Sequence, residues 1–156
     1  MTGSGTAIAD IRPPQANDFL LEDHVGFLLR KAHQRHASIF LEVTAEHGLT
    51  PTQFAALSKT VALGRTTQNL LGRCVAMDPA TIQGVVRRLM ARGLIERSRD
   101  PMDRRTAVLK PTDAGVALLK CAMAGAQRAH DTALAPLAED ERATFLNLLH
   151  KMVCIP

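Results

Sequence analysis

The stretch from Leu70 to Thr112, LLGRCVAMDPATIQGVVRRLMARGLIERSRDPMDRRTAVLKPT, leaves this chain the fewest ways to fold, because its start and stop signals are so closely spaced. Asp78-Pro79 supplies an N-cap carboxylate and a proline at the first helical position, where a missing N–H costs nothing. Ile82, Val85/Val86 and Leu89 then recur at three- and four-residue spacing, the mark of one buried helical face. Thr81, Gln83, Gly84, Arg87 and Arg88 fall on the opposite side. Gly93 ends the helix, since glycine takes the left-handed conformation without a Cβ clash. Leu94–Arg99 and Thr106–Lys110 read as strands around Asp100-Pro101-Met102-Asp103-Arg104-Arg105, a hairpin with a charged tip.

A short helix, the tight link Ala76-Met77-Asp78-Pro79, a second helix with polar groups outward and a β-hairpin together describe a winged helix-turn-helix. A helix fits the major groove, polar side chains near its N-terminus read base edges, and wing arginines reach phosphates or the minor groove. Charge agrees with this reading. Residues 65–105 hold nine arginines against four acids, whereas the rest of the chain holds ten Lys/Arg against eleven acids. The excess positive charge therefore sits in this one segment.

Three motifs carry a resemblance. Asp100-Pro101-Met102-Asp103-Arg104-Arg105, followed by Val108-Leu109-Lys110-Pro111-Thr112-Asp113-Ala114-Gly115, looks like the wing signature of the MarR family, the multiple antibiotic resistance regulators. Gly48-Leu49-Thr50-Pro51-Thr52-Gln53-Phe54 resembles that family's entry into its second helix, and Met90-Ala91-Arg92-Gly93-Leu94-Ile95 its helix-to-wing link. The likeness spans roughly residues 20 to 153, in the family's order. Gly84 departs from it, standing where many members carry a larger polar or basic residue on the reading helix, so no operator sequence carries over.

The length of 156 residues allows one compact domain, or a small domain with dimerising arms. With no Trp or Tyr and five Phe, the core must be aliphatic, as suits packed helices. No apolar run is long enough to span a membrane, and residues 1–17 read as a flexible leader without the order of a secretion signal. A cytoplasmic protein is expected. Cys74, Cys121 and Cys154 are odd in number and far apart, with no C-x-x-C pair, so they read as reduced thiols behaving as small apolar residues. Some regulators of the resembled family sense oxidants through a cysteine near the start of the first helix, where this chain has His24. A redox-responsive regulator stays open as an alternative.

In chain order, a long helix is expected from about Asp18 to His47, closed by Gly48, with Val25, Leu28/Leu29, Ala32, Ile39/Phe40 and Val43 as its apolar stripe. His33 and His36 share a face at i,i+3, a spacing that permits metal binding, but no Cys or carboxylate cluster accompanies them, and neither metal nor cofactor is expected. Thr50 or Thr52 caps the second helix. Arg65–Leu71 begins the positioning helix of the DNA motif, where Thr66, Thr67 and Gln68 either cap a surface helix or touch phosphate. Thr112-Asp113 caps a long helix to about Ala135, stopped by Pro136, and a last helix runs to about Val153.

The expected fold is thus mainly α with a small β-hairpin. Residues 48–112 form the winged helix-turn-helix, and helices in 18–47 and 113–153 form a dimerisation domain. A monomer core could absorb the same apolar residues; the resemblance implies the dimer. It also implies a regulator, most simply a repressor, on a pseudo-palindromic operator in double-stranded DNA, with two reading helices about 34 Å apart. Thr81 and Gln83 would meet base edges, Arg87 and Arg88 bases or phosphates, and Arg99, Arg104 and Arg105 would place the wing. Asp103, an acid at the wing tip, would pair an arginine and fix the loop. The resemblance further implies a small aromatic acid or phenol bound where the first helix meets the second and the DNA-binding lobe, with Arg30, Lys31, His33, His36 and Gln53 as candidate groups. The phrase Val25–His33 is similar to that of regulators of aromatic or N-heteroaromatic acid catabolism. An architectural, sequence-tolerant DNA-binding protein is a further alternative. An enzyme is not expected, because no nucleophile–base order or paired carboxylates accompany a pocket signature.

Overall fold

The computed structural model describes residues 20–99 and 107–153. The wing-tip positions Asp103, Arg104 and Arg105, the leader 1–17 and Cys154 lie outside the described residues. The chain divides between His33 and Gln34 into two compact units. In the first, a 3-10 turn at Leu21–Asp23 leads into helix α1, Val25–Val43, whose remainder belongs to the second unit. The second continues through a 3-10 turn at Ala45–His47, α2 (Pro51–Leu63), α3 (Gln68–Cys74), α4 (Pro79–Ala91), strands β1 (Ile95–Arg99) and β2 (Ala107–Pro111), α5 (Asp113–Leu134) and α6 (Glu139–Val153). This is the expected mainly helical fold with a small antiparallel hairpin.

Helix α1 ends earlier than the sequence suggests. The Thr44 hydroxyl donates to the Phe40 carbonyl at 2.6 Å, the chain tightens into the 3-10 turn, and Gly48 reverses it with φ 59°. Glu46 and His47 would continue a helix by propensity, so tertiary contacts set this end: Gly125 of α5 packs so closely that a Cβ there would lie 3.0 Å from the Val43 carbonyl oxygen. Ala122 and Ala129, the other small residues of that face, are fully buried.

Helix α2 opens with a capping box: the Thr50 hydroxyl accepts from the Gln53 backbone N–H at 3.2 Å, and the Gln53 side chain accepts from the Thr50 N–H at 3.1 Å. The core beneath it is aliphatic as expected, with Ala56 and Leu57 of α2, Leu71 of α3, Ile82, Val85, Val86 and Leu89 of α4, and Ile95 and Leu109 of the hairpin. Each leucine, valine or isoleucine buried there contributes about 1.5–3 kcal/mol relative to exposure.

The hairpin is antiparallel, pairing Ile95 with Pro111 and Arg99 with Ala107. A third segment adds to it: Thr66 and Leu109 exchange backbone hydrogen bonds of 3.0 and 2.7 Å. Beyond β2, Thr112 caps α5 through the Gly115 N–H at 3.0 Å while its own hydroxyl donates to the Gly93 carbonyl at 2.6 Å. The N-terminal turn of α5 is thereby tied to the end of α4.

Candidate nucleic-acid interface

Helix α4 is positioned at both ends. Asp78, as N-cap, accepts from the N–H groups of Ala80 and Thr81, each at 3.0 Å, and also from the Thr81 hydroxyl. At the other end Gly93 sits at φ 67°, the Leu94 N–H donates to the Leu89 carbonyl at 3.0 Å and the Gly93 N–H to the Met90 carbonyl at 2.9 Å. Those two bonds are the Schellman pattern, which satisfies carbonyls the helix would otherwise leave bare. The link from α3 is equally tight. Ala76 adopts φ 52°, and a Cβ at Gly72 would lie 3.2 Å from the Met77 carbonyl oxygen and 3.3 Å from the Ile82 side chain. A glycine in α3 is what lets α4 approach.

With Ile82, Val85, Val86 and Leu89 turned inward, Thr81, Gln83, Arg87 and Arg88 are exposed together on the outer face. The Arg88 guanidinium lies beside Gly84, 3.6 Å from where a Cβ would stand. An open groove of about 280 Å³ runs along this face between Gln68, Gln83, Val86, Arg87, Met90 and Arg97. Arg97 of β1 donates to the Gln68 side chain of α3 at 3.2 Å. So two arginines, two glutamines and a narrow apolar floor come from three elements to one surface.

The remaining expected DNA contacts separate. Thr67 is the N-cap of α3, its hydroxyl accepting from the Leu70 N–H at 3.2 Å. Thr66 is only 4% exposed, is fixed by Leu109 through its backbone and donates its hydroxyl to the Thr67 carbonyl, so its role is in the fold. Arg99 is exposed at the outer end of β1. Arg97 was counted in the charge but not assigned to the site from sequence; the signal available was its place two residues from Arg99, hence on the same side of a strand.

The hydroxyl hydrogen of Thr81 is committed to Asp78, so its oxygen presents only lone pairs outward. That bond, with the two N–H groups, holds the Asp78 carboxyl below its ordinary value of 3.8. A depressed carboxyl stabilises the fold above its unfolded pKa and loses that contribution as pH falls through the folded value. Asp78→Asn, which keeps the cap but not the charge, is therefore expected to flatten the stability–pH curve between about pH 5 and the region below 3.8. Thermal melts of the two proteins across that range check this.

The expected effector groups are not all disposed alike. In the first unit, Arg30 and Lys31 lie over the Phe27 ring at 5.6 and 5.5 Å from its centre, and His33 is exposed. In the second, half-buried His36 stands 6.2 Å from the Phe40 ring, which meets Phe54 edge-on at 5.3 Å. Gln53 is buried, and its carbonyl oxygen serves the capping box. Cys74 and Cys121 are exposed free thiols rather than buried apolar residues. Among the described residues no group of three or more His, Cys, Asp or Glu side chains is gathered as for a metal ion, and no helix is long and apolar enough to cross a membrane.

Helix α4 packed on α3 and flanked by the β1–β2 hairpin has clear relatives. The family model described as MarR family matches residues 47–106. The HTH-type transcriptional repressor NicR of Pseudomonas putida is 40% identical over 131 residues, covering 84% of this chain and 83% of its own. This chain belongs to the MarR family. Among solved structures, a probable transcriptional regulator from Pseudomonas aeruginosa superposes with a TM-score of 0.82 at 46% identity, covering 86% of this chain and all of its own. BpsR of Bordetella bronchiseptica, whose DNA binding is regulated by 6-hydroxynicotinic acid, gives 0.82 at 33% identity, over 88% of this chain and 99% of its own. Members of the family are transcriptional regulators rather than enzymes, and the three motifs read from the sequence belong to this MarR-type frame. In it, α3 and α4 are the two helices of the helix-turn-helix and β1–β2 the wing.

Proposed function

We propose that this MarR-family regulator is a dimeric repressor that binds a pseudo-palindromic operator and is released by a small aromatic acid, N-heteroaromatic acids included, or by a phenol. The observation that carries the DNA part is the outer face of α4, where Thr81, Gln83, Arg87 and Arg88 are exposed together beside the Gln68–Arg97 pair. Thr81 and Gln83, near the helix N-terminus, meet base edges; Gln83 suits adenine, to which a glutamine amide binds bidentately. Arg87, Arg88, Arg97 and Arg99 meet bases or phosphates, and Arg104 and Arg105, with Asp103 holding the loop, extend the contact along the wing. Thr67 and Gln68 lie at the N-terminus of α3, suited to a phosphate.

Support for the dimer comes from α6, a helix of 15 residues of which none is buried within one chain. Its Leu148 and Met152 are 57% and 44% exposed, and Leu28 in α1 is 51% exposed. Apolar faces of this kind are what a partner copy covers. NicR supports the repressor assignment, and BpsR the effector class. The candidate groups for the effector carboxylate are Arg30, Lys31 and His33 in the first unit, and His36 and the Gln53 NH2 group, which the cap leaves unused, in the second. The effector releases DNA only to the extent that it prefers the non-binding arrangement of the dimer.

The test is a titration of the protein against its own upstream DNA and a scrambled duplex at about 0.15 M salt, where screening is physiological, with and without 6-hydroxynicotinic acid and related pyridine and phenolic acids. Preference for the upstream DNA, abolished by one acid, is the expected result. Equal binding of both duplexes, unmoved by every acid, would sink the proposal in favour of an architectural role. In the same assay Gln83→Ala should cost about 1–3 kcal/mol of discrimination against a wrong base pair while leaving non-specific binding nearly untouched. Unchanged preference would mean that α4 is seated differently.

A further inference from the structure

Arg92 belongs to the positive segment 65–105 and is exposed, yet its guanidinium is bonded to the chain's own carbonyls. Its Nη1 donates to the Gly48 carbonyl at 2.6 Å and its Nη2 to the His47 carbonyl at 2.9 Å, across 44 and 45 residues of chain. Arg92 is the C-cap residue of α4, whereas His47 and Gly48 close the 3-10 turn that follows α1, at the left-handed reversal into α2. From the other side the same joint is gripped by α5: Gly125 allows contact with Val43 and Thr44, and Arg128 donates to the Val43 carbonyl at 3.4 Å. The joint therefore lies between a helix assigned to the dimer and the end of the helix assigned to base reading.

We propose that Arg92 is a positioning residue that fixes the reading helix to the Val43–Gly48 joint and so sets the spacing of the two half-sites that the dimer accepts. The proposal rests on the dimeric operator-binding function given above. Two successive carbonyls, each with its own donor on a planar fork, define a direction as well as a distance, which one flexible ammonium cannot do. Leu94, the second residue beyond Arg92, accepts the Thr112 N–H that begins α5, so the C-terminal end of α4 is held on two sides. Removing the Arg92 fork frees one of them. The reading helix can then swing, and the dimer accepts half-sites at more than one separation.

The experiment measures binding to three duplexes: the upstream operator, and the same operator with one base pair inserted or deleted at its centre, which moves a half-site by about 3.4 Å and about 36°. Wild type is expected to bind both altered duplexes at least about tenfold more weakly than the intact one, and Arg92→Met to bind all three within about threefold. Because this role gives the Arg92 donors to carbonyls rather than to phosphate, the salt dependence of Arg92→Met on the intact operator should equal that of wild type. Arg92→Lys, a cation with one donor centre, should be relaxed to an intermediate degree, and it decides the matter alone if Arg92→Met does not fold. Spacing discrimination equal to wild type in the folded variants would overturn the proposal. So would a salt slope lowered by about one, the signature of a lost phosphate contact. A wild-type protein with no preference for its upstream DNA would overturn the operator-reading function itself, and this inference with it.

Discussion

Gly115→Ala is expected to abolish the folded protein or to cost about 3 kcal/mol or more, at the upper end of overpacking effects. A Cβ at this position would stand 2.0 Å from the Leu94 carbonyl oxygen, 2.9 Å from its carbonyl carbon and 3.3 Å from a Leu57 methyl. The first two are backbone atoms, held by the bond from the Thr112 N–H and by the Schellman turn around Gly93, so no side-chain rotation relieves the clash. Relief requires the start of α5 to retreat from the wing, which breaks the Thr112 hydroxyl bond to the Gly93 carbonyl. Denaturant unfolding of the variant checks it, and a midpoint close to wild type would show that the helix start has room to move. By contrast Gly84→Ala, whose nearest neighbour is the mobile end of Arg88 at 3.6 Å, should leave stability unchanged or raise it slightly.

The largest functional effect is expected from Arg87→Ala combined with Arg97→Ala. Both arginines are exposed and both line the groove beside α4, so the double variant should melt within a few degrees of wild type. Its affinity for every duplex should nevertheless fall roughly tenfold to a hundredfold at physiological salt, and the log–log salt slope should shrink by about one to two. A uniform loss marks phosphate contacts, whereas a loss confined to the operator marks base contacts. An unchanged slope together with unchanged operator affinity would show that this face does not meet DNA. Gln68→Ala, which removes the acceptor holding Arg97, should reproduce part of the loss.

Local chemistry made much of this legible. Asp78-Pro79, the apolar spacing from Ile82 to Leu89, Gly93 and Thr112-Asp113 are signals whose cause lies within a few residues, and helix α4, the hairpin and the start of α5 stand where those signals put them. Where the cause lies far along the chain, the reading slipped. Nothing near Thr44 announces the end of α1, because the joint is set by Gly125 and Arg92, some 80 and 48 residues downstream. Thr66 looked like a surface hydroxyl until Leu109 paired with it. The second role of Gln53 was legible too: Thr50-x-x-Gln53 is a capping-box spacing, which engages the amide oxygen and leaves its NH2 group. Arg92 shows a further limit, since charge counting cannot tell an arginine open only to solvent from one that also bonds the chain's own carbonyls.

The hairpin has a consequence for engineering. Its base is held at the end away from the turn: Ile95 and Leu109 are buried in the core, Leu109 is bonded on both backbone groups to Thr66, and Thr112 is anchored to Gly93 and Leu94. The register of β1 against β2, from Ile95 opposite Pro111 to Arg99 opposite Ala107, is thus anchored from the base upward. Turns of different length or charge grafted between Arg99 and Ala107 are therefore expected to leave β1, β2 and α4 in place, and under the proposed function they would separate how tightly such a regulator holds DNA from what it recognises.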